Sequence, residues 1–349
     1  MPDCAIVGGG IIGCTIAWRL VQQGLKVVLF EAGNLGGEAS TAGAGMLAPG
    51  GEVAGDSELA RLLVASLRRY GSFVEELVLE SACSVDFRRC GAVEVVRTGE
   101  ELAALSTRSE SQRVLGIPSE PLPLSDLPAA VARDVAGARF YPDDGLVDPV
   151  DLMRALRQVL TRLDVDLREG CRVDRILPQR NSFRVNDVEA GSVVIAAGAW
   201  SSAIEIPSVR LPRAYPVKGH LLGFELPPGS LGPLVRYGHT YVLQRSSGFT
   251  VAGASTEDAG FDKHVDETIA AEIRAEADAI LPGLLAGAHR TSVWTGLRPG
   301  TDSAAPLIRR WNDSNLWLAY GHYRNGILAA PETAERIAAG IFTSSLEKD

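Results

Sequence analysis

The sequence predicts a two-part α/β protein in which a Rossmann-type nucleotide-binding domain is interrupted by an inserted antiparallel-sheet domain. Three observations lead there. The first 32 residues read as strand, glycine-rich turn, helix and second strand. A second apolar strand, Val193-Val194-Ile195-Ala196-Ala197, runs into Gly198-Ala199, as a central parallel strand does beside a nucleotide. Between 213 and 252 the pattern changes to short alternating runs separated by turns, which is antiparallel grain. A chain of 349 residues also exceeds the size at which single cores usually stop growing, so two packed parts are expected.

The N-terminal stretch is the most informative. Cys4-Ala5-Ile6-Val7 is a short apolar strand, and Gly8, Gly10 and Gly13 fill the G-x-G-x-x-G pattern directly after it. The first glycine permits a tight turn, the second lets backbone approach a pyrophosphate, and the third lets the helix lie close on the sheet. The helix that follows offers backbone N–H groups and the positive end of its dipole to phosphates. The strand 26–30 ends on Glu31, close to the spacing of about 20 residues at which a carboxylate meets a ribose diol. An adenine dinucleotide is the expected ligand, with NAD and FAD both open at this point.

Residues 33–49 are small and polar, then small and apolar, ending in Met46-Leu47-Ala48-Pro49. Residues this small build no core, but they let backbone press against a flat ligand. Helices are predicted over 57–80, with Leu59, Leu62, Leu63, Leu67 and Tyr70 on one face, and over 100–115. Asp148-Pro149 opens a third through 160, with proline in its first turn. Strands at 213–226, 234–237, 240–245 and 249–252 make the inserted sheet, and a helix at 266–280 covers it. The chain is then expected to return to the first domain through Val293 to Gly300 and a strand at 316–319. Tyr320 to Pro331 reads as strand end, polar loop and helix start, with Pro331 near the first turn. That makes a second anion-friendly helix N-terminus after a strand.

Composition narrows the function classes. A formal charge of −9 argues against nucleic acid or an anionic membrane surface as the main partner. No apolar run approaches the roughly 20 residues of a spanning helix. Met1-Pro2-Asp3 lacks a basic region, so no signal peptide is expected. Five cysteines without a C-x-x-C pair fit free thiols in a reducing cytoplasm, and five scattered histidines suggest no metal site.

Taken together, the glycine turn with Glu31, Ala44-Gly45-Met46-Leu47-Ala48-Pro49, Pro216-Val217-Lys218-Gly219, Gly296-Leu297-Arg298-Pro299-Gly300-Thr301 and Gly321 to Leu328 resemble the glycine oxidases of the D-amino-acid oxidase superfamily. The resemblance, not composition, selects FAD over NAD. It implies a discontinuous FAD-binding domain over 1–80, 140–205 and 290–349, with a substrate domain over 81–139 and 206–289. It implies that Gly8, Gly10, Ile11, Ile12 and Gly13 approach the pyrophosphate, that Glu31 beside Ala32 holds the ribose, and that Val173 lies on the adenine side. Ala39, Ser40, Ala44, Gly45 and Met46 would run past the phosphates and flavin ring. His322, Tyr323, Arg324, Asn325, Gly326, Ile327 and Leu328 would present backbone to its pyrimidine edge. Arg298 and Tyr241 would take the substrate carboxylate, Arg324 would lie at the amine end, and Thr256 stands where relatives often carry a larger apolar residue. His239 is expected in the sheet without a catalytic role.

The implied activity is oxidative deamination of glycine or small amines, with oxygen as acceptor and hydrogen peroxide as product, in service of thiazole formation for thiamine. No side chain is assigned as acid or base. No cysteine follows Cys171, so non-covalent FAD is expected. A homo-oligomer is expected by the same resemblance. Two other readings stay open: a dehydrogenase passing electrons to a quinone or partner subunit, and a dinucleotide-binding module without turnover.

Overall fold

The computed structural model describes residues 1–346 apart from 287 and 313. Among these residues the two largest sheets have six and eight strands. Across the smaller one the order is Leu307–Arg310, Leu316–Tyr320, Ser192–Ile195, Cys4–Val7, Val27–Phe30 and Asp166–Arg168. All pairings are parallel except that of the edge strand Leu307–Arg310 with Leu316–Tyr320. The strands Cys4–Val7 and Val27–Phe30 are buried throughout, which is why they read as continuous apolar runs. Helices Ile11–Gln22, Pro149–Arg162 and Gly326–Leu346 share one core on this sheet with Glu58–Ser81.

Helix starts follow local chemistry. Ser57 Oγ accepts from the N–H of Ala60 at 3.0 Å, and Asp148 accepts from that of Val150 at 2.8 Å ahead of Pro149. Thr98 and Glu101 form a reciprocal capping box at the start of Gly99–Val114. Such caps are each worth about 1 kcal/mol.

The larger sheet departs from expectation in two ways. It is mixed, because Leu234–Tyr237 pairs in parallel with Ala92–Val96. The sheet is assembled from two separate stretches of chain, and this pairing is the seam between them. Its edge strand is Arg290–Thr301, paired along its length with Ala214–Glu225, so the chain has not returned to the parallel sheet at 290 as the sequence suggested. Gly296, Pro299 and Gly300 are poor strand residues, yet an edge position tolerates them. The return comes only after Thr301. A small sheet of Met46–Leu47, Gly145–Val147 and Phe87–Arg88 stitches the two parts together beside the cavity.

Two local expectations are also corrected. Pro331 lies inside Gly326–Leu346, past its first turn, because the helix begins earlier than the proline implied. The carbonyl of Ile327, which a proline cannot satisfy four residues on, instead accepts from the Tyr70 hydroxyl at 3.2 Å. His239 is not in a strand. It occupies the tight turn after Gly238 between Leu234–Tyr237 and Thr240–Gln244, and it is exposed.

Candidate active site

A cavity of about 620 Å³ runs between the two sheets, with walls from both. Its nucleotide end is built by the first strand, turn and helix. A Cβ at Gly13 would lie 1.9 Å from the Gly8 carbonyl oxygen, so only glycine lets the helix seat there. The N-cap residue Gly10 has no side chain to cap the helix. The N–H of Ile11 is taken by Ser40 Oγ at 2.9 Å. That leaves the Ile12 N–H, one turn too early for an intrahelical acceptor, to meet an anion. The Glu31 carboxylate is fixed by two backbone donors, Gly9 N–H at 2.7 Å and Gly33 N–H at 2.8 Å, with lone pairs to spare. Ala32 and Val173 line the same end.

The middle is walled by Ala39, Ser40 and Ala42 to Met46. This strip is held from the inserted part: Arg245 donates to the carbonyl of Ala44 at 3.2 Å and Trp294 to that of Ala42 at 2.9 Å. The loop and helix start from His322 to Ile327 form the facing edge. His322 is buried, with Nε2 3.0 Å from Thr333 Oγ1, and burial lowers its pKa to about 3. Burial thus disfavours the protonated ring, so His322 is a poor proton acceptor in this position.

The far end gathers Tyr241, Thr256, Arg298 and Arg324 as the sequence proposed, and adds His239 and Glu52. Arg298 forms no ion pair among the described residues. One guanidinium nitrogen donates to the carbonyls of Ser255 at 3.0 Å and Lys218 at 3.3 Å, and burial lowers its pKa. Such a cation retains donors for an incoming carboxylate. It lies flat over Gly219, where a Cβ would come within 2.2 Å of it. Ser255 is itself locked: its hydroxyl donates to Glu257 at 2.5 Å and accepts from the His220 N–H at 2.8 Å, while the His220 ring meets Glu257 at 2.7 Å. Burial raises the pKa of Tyr241, on which the charges of Arg298, Arg324 and Glu52 all act.

Arg324 is not free. Its Nε pairs with Glu52 at 2.9 Å, and Asn325 donates to the other Glu52 oxygen at 3.4 Å. Sequence reasoning missed Glu52 because it sits in an irregular glycine-rich stretch with no pattern around it. Gly219 was inside a recognised motif, but only the packing of Arg298 on it explains the glycine. Two proposed residues do not line the cavity. Gly13 packs on Gly8, and Leu328 is buried in the core.

Comparison with known proteins places this geometry. The family described as DAO, FAD dependent oxidoreductase, matches residues 3–339. Glycine oxidase of Bacillus licheniformis is 30% identical over 343 residues, covering 96% of this chain and 92% of its own. The bifunctional protein ThiO/ThiG of Synechocystis is 32% identical over 348 residues, and this chain spans about half of its length (51%). The crystal structure of glycine oxidase from Geobacillus kaustophilus superposes with a TM-score of 0.91 at 29% identity, covering 98% of this chain and 95% of that one.

Proposed function

This chain belongs to the DAO family of FAD-dependent oxidoreductases, and on that premise we propose that it oxidises glycine and other small amino acids or amines. The overall reaction would convert the amine to an imine, which water hydrolyses to the oxo acid and ammonia, while oxygen is reduced to hydrogen peroxide. Bound in the cavity, FAD would accept the hydride from the substrate α-carbon.

The cavity chemistry suits that cofactor. Glycine backbone and a helix start with the Ile12 N–H still open stand at one point, and a braced carboxylate stands at another. In this reading Glu31 holds the adenosine ribose, Val173 faces adenine, and Ile12 meets the pyrophosphate. Backbone from His322 to Ile327 faces the pyrimidine edge of the flavin. The chain's own contribution to the chemistry is orientation and exclusion of water.

One observation carries the choice of substrate: Arg298, partly buried, has no carboxylate partner among the described residues and lines the cavity with Tyr241. A planar guanidinium can take a carboxylate through two parallel charge-assisted bonds, which fixes the substrate in plane as well as in position. Arg324 then stands toward the amine end. A pure dinucleotide-binding module would have no use for such a clamp. Relatives named glycine oxidase and ThiO/ThiG agree with this reading and with supply of the imine for thiazole formation. We extend it to a cytoplasmic homo-oligomer. Among the described residues no helix is long and apolar enough to cross a membrane, and all five cysteines are free.

The test is a panel of glycine, sarcosine, D-alanine and simple amines added anaerobically to the FAD-loaded protein while flavin absorbance is followed. Glycine should bleach the flavin, and air should then yield one hydrogen peroxide per turnover. Absence of bleaching by every amino acid overturns the reading. Bleaching without peroxide moves it to a dehydrogenase.

A further inference from the structure

We infer that Glu52 is a specificity-determining residue that restricts this site to substrates with a single carboxylate. The inference rests on the reading of Arg298 as the carboxylate clamp. The substrate end of the cavity contains two guanidinium groups, Arg298 and Arg324, both near enough to act on the Tyr241 hydroxyl. Two such cations in one partly buried end would ordinarily make a dicarboxylate site. Glu52 prevents this. It pairs with Arg324 at 2.9 Å, and its side chain is only 11% exposed, so one of the two positive charges is cancelled within the protein. A second substrate carboxylate would meet an occupied guanidinium and a fixed negative charge. Discrimination of this kind comes from a repulsive group, not from an added attraction.

The position of Glu52 is built. Gln112, fully buried on the helix Gly99–Val114 of the inserted part, donates to the carbonyls of Gly50 at 2.8 Å and Val53 at 2.5 Å, on either side of Glu52. Its own carbonyl accepts from the Tyr141 hydroxyl at 3.2 Å. Asn325 holds the second carboxylate oxygen. The turn is thus pinned from behind while its one acidic side chain is delivered to Arg324.

The experiment uses full-length FAD-loaded protein and measures dissociation constants of acetate, malonate, succinate and glutarate from their perturbation of the flavin spectrum. Glu52→Gln keeps the shape and removes the charge. At least one dicarboxylate should then bind about tenfold or more tighter, with acetate changed less than about threefold. The double variant Glu52→Gln with Arg324→Gln should lose that gain, because the released guanidinium supplies it. If every dicarboxylate changes no more than acetate, or if the gain survives loss of Arg324, the inference is overturned. Should Glu52→Gln not retain FAD, Glu52→Ser provides the same comparison. Failure of wild-type protein to oxidise glycine would remove the amino-acid reading, while the binding constants would still decide the role of Glu52.

Discussion

At the scale of single residues, the site turns on how one guanidinium is held and left available. Arg298 is fixed by two carbonyls along one nitrogen and supported from below by Gly219. Truncating one partner of a desolvated charge pair costs about 2–5 kcal/mol, so Arg298→Ala should lower kcat/KM for glycine by roughly thirty-fold to several thousand-fold. Arg298→Lys should recover part of this, since a point charge lacks the fork. An amine without a carboxylate should lose far less. Equal proportional losses for glycine and such an amine would falsify the clamp. Gly219→Ala tests the same geometry from the other side, because a methyl group 2.2 Å from the guanidinium must displace it. Glycine kcat/KM should fall while FAD content is kept, and an unchanged value would show that the arginine tolerates the shift. His322 adds a pH dependence. Burial lowers its pKa to about 3, so the folded protein keeps it neutral while the unfolded chain protonates it below about 6.5. Its contribution is therefore complete above that value and is lost as pH falls, by about 1.4 kcal/mol per pH unit. Urea unfolding at saturating FAD should show wild type losing about 2 kcal/mol more than His322→Asn between about pH 7.5 and 5. Parallel losses would mean that the folded state accepts the proton.

At the scale of elements, the C-terminal helix shows how a broken local rule is repaired by a distant one. Pro331 cannot donate to the Ile327 carbonyl, and Tyr70, from the long helix Glu58–Ser81, donates to it instead. Tyr70 is fully buried, so Tyr70→Phe leaves that carbonyl unsatisfied at a cost of about 1–3 kcal/mol in unfolding free energy. A loss below about 0.5 kcal/mol would show the bond to be incidental. The same element marks where sequence reading stops. The proline and the polar loop were legible, but the helix start was not, because the residue that makes an internal proline tolerable lies 257 positions away. The first strand, turn and helix were legible because their constraints are local. The strand Arg290–Thr301 was not, since its glycines and proline disfavour a strand until its long partner Ala214–Glu225 is known. Arg298 and Arg324 were found as residues, but not the Glu52 pairing that makes them unequal, because charge pairing across the fold leaves no periodicity in the chain.

At the scale of the whole molecule, the cavity separates a mostly parallel sheet from a mostly antiparallel one, and its occupant should hold them together. The strip 42–46 walls the middle of the cavity and follows the nucleotide-end elements in the chain, yet Arg245 and Trp294 of the inserted part grip it. A ligand that binds only the folded state stabilises it by RT ln(1 + [L]/Kd), about 4 kcal/mol at a thousandfold excess over Kd. The melting temperature should therefore rise with the logarithm of free FAD, and acid should release that FAD intact from the denatured chain. Glu31→Ala separates two roles of one carboxylate. It braces the N–H groups of Gly9 and Gly33, and that loss should lower the stability of the FAD-free and FAD-loaded protein alike. A ribose contact exists only when FAD is bound, and a hydrogen bond to a charged group is worth about 1.5–3 kcal/mol. The FAD-dependent part of the stabilisation at a fixed excess should shrink by that amount, equivalent to a Kd raised by roughly ten- to over a hundredfold. Thermal melts of both proteins across an FAD titration supply all four values. If Glu31→Ala lowers both states equally and leaves the FAD increment intact, the carboxylate is a brace for the turn and the ribose is held elsewhere.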